Sequence, residues 1–357
     1  MVANDVSIAA QFLGIDLQKP YLEIDLGIIN GSHKGYPSNG INFASAGSGV
    51  LNDTNLDLGV MPIQEQLLKF QNLMKSKKVD IRLVEQSLFF FESGSNDIFN
   101  YFLPFFPPTL EPDAFVLAML TQVKHFVYQT YKLGARRFGI FGLGPVGCVP
   151  ARVNLPEAPI DRCYGKMNKM VKNYNLGLES IVNDFPVTYP GAISVYGAVY
   201  DIVQLFRAIP QHYGSILPVI VNLQIYSPTM DKLSLTSQNI RSWGYSSHCQ
   251  LILRLFQKFI RFSLFLLIHC SLVPYFTGFT NTTSACCGNG TLGGLVQCGT
   301  EGSYEACKNP NEFLFWDYFH PSERSYKLLS KALWAGKRSR IRPFNLKTLA
   351  NITVSPS

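Results

Sequence analysis

Ser87-Leu88-Phe89-Phe90-Phe91-Glu92-Ser93-Gly94-Ser95-Asn96-Asp97 is the stretch that decides how this chain reads. Residues 87–91 are a short apolar run, the pattern of a strand buried on both faces of a sheet. The run empties into Gly94-Ser95-Asn96-Asp97, which reads as a polar loop. Loops at the carboxyl ends of such strands are where open α/β sheets keep their sites. An Asn side chain placed there can donate an N–H to an oxyanion developing on a substrate carbonyl.

Outward from that stretch, helical and strand patterns alternate. Apolar residues recur at helical spacing over Pro62–Lys75 and over Pro112–Leu133, the second halting at Gly134, a residue suited to ending helices. Phe138-Gly139-Ile140-Phe141 and Ile193-Ser194-Val195-Tyr196 read as short strands, with a helix over Lys166–Phe185 between them and a closing helix over Ser322–Trp334. Strands alternating with helices predict an α/β fold with a parallel sheet covered on both faces. No repeat, linker or low-complexity tract divides the core, so residues 1–357 read as a single domain.

Two further segments carry chemistry. Gly40-Ile41-Asn42-Phe43-Ala44-Ser45-Ala46-Gly47-Ser48-Gly49 has the small residues that let a backbone N–H approach a substrate carbonyl. Near the other end stands Phe315-Trp316-Asp317-Tyr318-Phe319-His320-Pro321. A carboxylate three residues before an imidazole can fold back onto one ring nitrogen, leaving the other to accept a proton from a hydroxyl. That is the arrangement of an acyl-transfer base.

Taken together and in this order, these segments resemble the plant GDSL esterase/lipase family of the SGNH hydrolases, from about Val2 to Tyr213 and again from Phe279 to about Asn351. Gly94-Ser95-Asn96-Asp97 matches the family's asparagine segment, Gly47 its oxyanion glycine, and Asp317 and His320 its Asp-x-x-His pair. Phe141-Gly142-Leu143-Gly144-Pro145-Val146-Gly147-Cys148-Val149-Pro150 resembles a further family segment, and Ala285-Cys286-Cys287-Gly288 with Cys298-Gly299 its late cysteine region. The resemblance implies a flavodoxin-like three-layer αβα fold and hydrolysis of acyl esters or lipids by a Ser-His-Asp mechanism. His320 would be the base, Asp317 its orienting carboxylate, and Gly47 and Asn96 the oxyanion donors. No cofactor is implied.

Two departures qualify that expectation. No Gly-Asp-Ser, the segment that supplies the family's nucleophilic serine, occurs in the 357 residues, and Met1-Val2-Ala3-Asn4-Asp5 resembles the family from a point after it. The chain therefore reads as lacking the first strand and the nucleophile. Met1–Gly14 does not have the pattern of a signal peptide. Residues 215–278 resemble nothing in the family and interrupt Tyr213-Gly-Phe279. Gly214 is compatible with a splice donor and Thr277-Gly278 with an acceptor, and removing the codons between merges two glycines in frame, so the segment reads as a retained intron or a gene-model error. The rival reading is a segment lying on a membrane, but apolar Phe262–Phe276 is too short to span one and is interrupted by His269 and Pro274. The alternative to an esterase is an inactive product that binds acyl or acetylated-glycan ligands.

Composition excludes some partners. Apolar residues make up 47% and charged residues 15%, which suits one large core. The net charge is +7, but residues 215–278 hold five Lys/Arg against one acid and so supply four of those charges; nucleic acid is not indicated. Lys337-Arg338-Ser339-Arg340-Ile341-Arg342 reads as a solvated helix end. Outside 215–278 there are six cysteines (Cys148, Cys163, Cys286, Cys287, Cys298, Cys307), with sequons at Asn30, Asn52, Asn281, Asn289 and Asn351. An even cysteine set with sequons implies the secretory pathway, with fifteen possible pairings. Cys249 and Cys270 would be surplus thiols. No C-x-x-C is present and the histidines are scattered, so no metal site is expected. The partner expected is a small-molecule ester or lipid, without stable membrane insertion.

Overall fold

The computed structural model describes residues 10–105, 108–213, 215–216, 223–227, 230–235, 276–299 and 304–353. They divide into two compact units, one of residues 1–210 and 281–357, the other of residues 211–280.

The larger unit is built on a four-stranded sheet. Strands β1 (Leu88–Phe91), β2 (Arg137–Phe141) and β3 (Ile193–Gly197) run parallel in that order, and a fourth, β4 (Ile341–Arg342), joins β3 antiparallel. The connections are helical, as parallel neighbours require. Helix α1 (Ser95–Tyr101) and helix α2 (Pro112–Lys132) lie between β1 and β2, and helix α3 (Gly165–Thr188) between β2 and β3. Helix α4 (Val199–Ala208) follows β3, and helix α5 (Glu323–Ala335) precedes β4, its N-terminus capped by Ser322.

The β2 and β3 cores are apolar on both faces, with Phe138, Ile140 and Val195 all buried. An aromatic chain crosses this core: Phe43 meets Phe70, then Phe89, Phe138, Phe185 and Tyr189, at centroid separations between 4.7 and 5.9 Å. Helix α3 runs three residues past the expected Phe185, through Pro186. Proline has no N–H for the Val182 carbonyl; the Ser194 hydroxyl of β3 donates to that carbonyl instead, at 3.4 Å.

Three expectations need correction. Strand β1 is only half-buried, with Phe91 alone fully inside, because it lies at an edge of the four-stranded sheet. Ser95, Asn96 and Asp97 are the first turn of α1, not a loop, and the turn into it is made by Gly94 at φ 126°, where a Cβ would sit 2.9 Å from Tyr174. The basic run after α5 is not simply a solvated helix end. Ile341 is fully buried in the sheet, and Arg342 makes a two-pronged ion pair with Glu179 while its guanidinium lies 5.0 Å over the Tyr196 ring.

In the smaller unit, residues 215–216 pair antiparallel with 276–277, and 223–227 with 230–235. Phe262–Tyr275, most of the proposed membrane-lying stretch, falls outside the described residues, as do Cys249 and Cys270. Among the described residues no helix is long and apolar enough to cross a membrane.

Candidate active site

The Asp-x-x-His segment folds on itself through one carboxylate. Asp317 Oδ1 accepts the backbone N–H groups of Phe319 at 2.9 Å and His320 at 2.7 Å, closing a tight turn. The same turn carries the His320 ring back, so that Nδ1 lies 2.9 Å from both Asp317 oxygens. Nδ1 is the donor to an ionised carboxylate, which leaves Nε2 as the free acceptor. The Asp317 side chain is 12% exposed and that of His320 58%, so a sheltered anion holds an accessible ring.

The electrostatics follow from this geometry. The hydrogen bond with Asp317 raises the His320 pKa above the usual 6.5 against the opposing effect of burial, and the charges of Asp317 and Glu92 add to the rise. Burial alone would raise Asp317, but its bonds with His320, the charge of that ring and the two backbone N–H groups outweigh it and hold the carboxyl below its usual value.

The surrounding backbone fixes the turn. Trp316 N–H donates to His320 O at 2.8 Å, Ala151 N–H to Tyr318 O at 2.9 Å, and Ser322 N–H to Leu314 O at 2.8 Å. Two adjacent cysteines supply further anchors: Cys286 N–H donates to Phe315 O and Cys287 N–H to Trp316 O, at 3.1 and 2.7 Å. Of the fifteen pairings, the structure has Cys148–Cys163, Cys286–Cys307 and Cys287–Cys298. The last two tie separate loops to neighbouring residues just behind the Asp317 turn.

The oxyanion candidates form a second cluster. Gly47 adopts φ 84°, a left-handed conformation that glycine takes without strain, and its carbonyl accepts from Asn55 Nδ2 at 2.7 Å. Among the described residues its N–H donates to no protein acceptor. Asn96 Nδ2 donates to Ser48 O at 2.9 Å, which orients the amide and leaves its second N–H for another acceptor. Helix α1 grips the 47–55 loop through three side chains: Asn96, Asp97 and Asn100, whose Nδ2 donates to Asn55 Oδ1 at 2.7 Å. Asp97 matters most. It is 1% exposed and accepts from Val50 N–H and Leu51 N–H at 2.9 Å each and from the Thr54 hydroxyl at 2.7 Å. Burial pushes its pKa up against those three donors. Gly49 has no side chain because none fits; a Cβ there would lie 2.3 Å from Asp97 Oδ2.

The two clusters meet through aromatic rings. Phe99 of α1 packs edge-on against Phe319, with centroids 4.6 Å apart, and Phe319 lies next to His320. All four expected site residues, Gly47, Asn96, Asp317 and His320, thus belong to one connected set. Sequence reading missed the roles of Asp97 and Asn100, which lie in or just after the quoted motif, and of Asn55, which follows the Gly40–Gly49 segment.

The sequence profile of the GDSL-like Lipase/Acylhydrolase family matches residues 4–238, which carries it into the segment read as foreign to the family. The chain is 48% identical over 341 residues to GDSL esterase/lipase 6 of Arabidopsis thaliana, covering 96% of this chain and 76% of that protein. It is 26% identical to GDSL esterase/lipase At2g23540, covering 88% and 67%, and 23% identical to GDSL esterase/lipase 7, covering 97% and 79%, both from the same plant. With two thirds of its length under the profile and near-half identity to one member, the chain belongs to the GDSL lipase/acylhydrolase family.

Proposed function

We propose that this protein is a carboxylic ester hydrolase acting on small acyl esters or lipids, with His320 as general base and then acid. Asp317 orients the ring and stabilises its charged form. The Gly47 N–H and the Asn96 amide receive the oxyanion, each donor being worth up to about 3–4 kcal/mol in such sites. The observation that carries this reading is the Asp317–His320 couple, an accessible imidazole whose Nδ1 is held by a sheltered carboxylate. The nucleophile in this reading is the serine of a Gly-Asp-Ser segment, which the 357 residues do not contain. The disulfides and sequons support passage through the secretory pathway.

Residues 215–278 are, in the same proposal, a retained intron; sequencing the full-length transcript tests this. The rival reading is an acyl- or glycan-binding role without catalysis. A fluorophosphonate probe separates the two. It should label a form joined to a Gly-Asp-Ser segment in a His320-dependent manner, and labelling of the joined form that ignores His320→Ala would sink the catalytic reading.

A further inference from the structure

The Cys148–Cys163 disulfide stands out for what touches its sulfurs. From α4, Arg207 Nη1 donates to Cys148 Sγ at 2.8 Å and also to Cys163 Sγ. From α3, Asn168 Nδ2 donates to Cys148 Sγ at 3.3 Å, while its Oδ1 accepts the Gly147 N–H at 2.9 Å. A disulfide sulfur is a weak, uncharged acceptor, whereas a thiolate beside a guanidinium is strongly stabilised. These donors therefore favour the reduced, charged form of Cys148 over the oxidised pair.

Arg207 has little else to hold. Its buried Nε has no hydrogen-bond partner among the described residues, and Nη1 reaches only Gln204 Oε1 besides the sulfurs, at 3.2 Å. Arg152, itself fully buried, spends its guanidinium on five backbone carbonyls, of Cys148, Val149, Pro159, Ile160 and Arg162. Among the described residues neither arginine makes an ion pair with a carboxylate. Two neighbouring cations thus share a sheltered place; the charge of Asp161 acts on Arg152, but among the described residues no carboxylate is bonded to Arg207, and a Cys148 thiolate would supply it with an anion.

We propose that Cys148–Cys163 is a thiol–disulfide exchange site opened by an external dithiol, with Arg207 and Asn168 receiving the departing Cys148 thiolate. Cys148 is 1% exposed and Cys163 half-buried, so the incoming thiolate attacks Cys163 Sγ. An S–S bond forms between the dithiol and Cys163 as the Cys148–Cys163 bond breaks, and the electron pair leaves on Cys148. The second thiol of the reagent then displaces Cys163. Two electrons pass from the dithiol, which becomes a cyclic disulfide, to the cysteine pair; of the two protons that the dithiol gives up, one ends on Cys163 and the other goes to solvent while Cys148 stays ionised. The exchange does not depend on the ester-hydrolase reading. Its reach does extend to that site, because the N–H of Ala151, within the loop that the disulfide closes, donates to Tyr318 O.

The test is a redox titration of the full chain in mixtures of reduced and oxidised dithiothreitol, with alkylation and peptide mapping to identify each opened pair. Cys148 and Cys163 should be labelled at a reduced-to-oxidised ratio at least tenfold lower than Cys286, Cys287, Cys298 and Cys307, a gap of about 30 mV. Arg207→Met should close most of the gap and Arg207→Lys only part of it. Should Arg207→Met fail to fold, Asn168→Asp keeps the acceptor for Gly147 but faces the thiolate with a negative charge, and it should narrow the gap too. Opening of the other pairs first or together with this one, or a gap unchanged in the folded variants, overturns the proposal.

Discussion

The ring of Phe99 meets the ring of Phe319 edge-on at 4.6 Å, and this contact ties the helix that carries Asn96 to the turn that carries His320. Phe99 is 7% exposed, so it serves the core as well as the site. Phe99→Ala should cost about 3–5 kcal/mol by urea denaturation, the usual range for truncating a buried phenylalanine. Phe99→Leu fills most of the space and should cost less, while losing the edge-to-face contact. A change under about 1 kcal/mol for the alanine variant would mean that the two clusters are not mechanically joined here.

The Asp317–His320 pair predicts a defined pH response. His320 is raised, so its contribution to stability is fully present below its ordinary 6.5 and disappears as pH climbs through the higher folded value. Asp317 is lowered, so its contribution is present above its ordinary 3.8 and is lost as pH falls through the folded value. The pair therefore stabilises most between about pH 4 and 6.5. In an NMR titration His320 should titrate above an unperturbed histidine, and Asp317→Asn should lower its midpoint. Since the base must be neutral to accept a proton, His320-dependent esterase activity should rise with pH through the raised midpoint.

Asp97→Ala removes the acceptor for Val50 N–H, Leu51 N–H and the Thr54 hydroxyl at once. Buried donors left without partners cost about 1–3 kcal/mol each, though not additively, so a loss of at least about 3 kcal/mol is expected. Asp97→Asn should not rescue fully. Donors approach both carboxylate oxygens, and the amide NH2 must face one of them. Equal stability of Asp97→Asn and the parent in chemical denaturation would show that the loop has another way to satisfy those groups.

The site and the fold were legible in the sequence to different depths for physical reasons. Asp317 and His320 could be read because their interaction is local, three residues apart and closed by backbone N–H groups of the same turn. The helices at Ile63–Lys75 and Pro112–Lys132 were legible within a residue or so because their apolar periodicity is long. Asp97 was hidden because its partners lie 43 to 47 residues away, and no local pattern marks a carboxylate that faces inward. Arg342 was misread for a similar reason, since Glu179 is 163 residues distant. The start of α1 at Ser95 was missed because Gly-Ser-Asn-Asp favours turns and helix N-termini alike, and only contact with Tyr174 and the 47–55 loop selects the helix. The cysteine pairing needed the fold itself.

The Cys287–Cys298 bridge closes an 11-residue separation. Chain entropy alone gives about 3 kcal/mol for a loop of this size. Replacing both cysteines by serine should lower stability by roughly that amount, measured by denaturation under non-reducing conditions. It should also loosen Trp316, whose carbonyl accepts the Cys287 N–H, and shift the tryptophan emission. An unchanged midpoint would mean that the neighbouring Cys286–Cys307 bridge holds the loop alone.

The catalytic proposal makes its sharpest prediction about a form joined to a family Gly-Asp-Ser segment ahead of Val2 and lacking residues 215–278. The 357-residue chain by itself should hydrolyse short p-nitrophenyl esters little or not at all, because without the nucleophile only the oxyanion donors and binding remain. The joined form should be an active, glycosylated esterase, with Tyr213 linked through one glycine to Phe279. His320→Ala should abolish most of its rate, and Asp317→Ala should reduce it less, since Asp317 acts through the ring and never touches the transferred proton. Asn96→Ala should lower kcat by roughly two to three orders of magnitude with a smaller effect on KM, as expected for a donor that strengthens in the transition state. The Asn96 result must be read beside a folding control, because that side chain also holds Ser48 O. A folded, active joined form indifferent to both His320→Ala and Asn96→Ala would show that its chemistry lies elsewhere in the molecule.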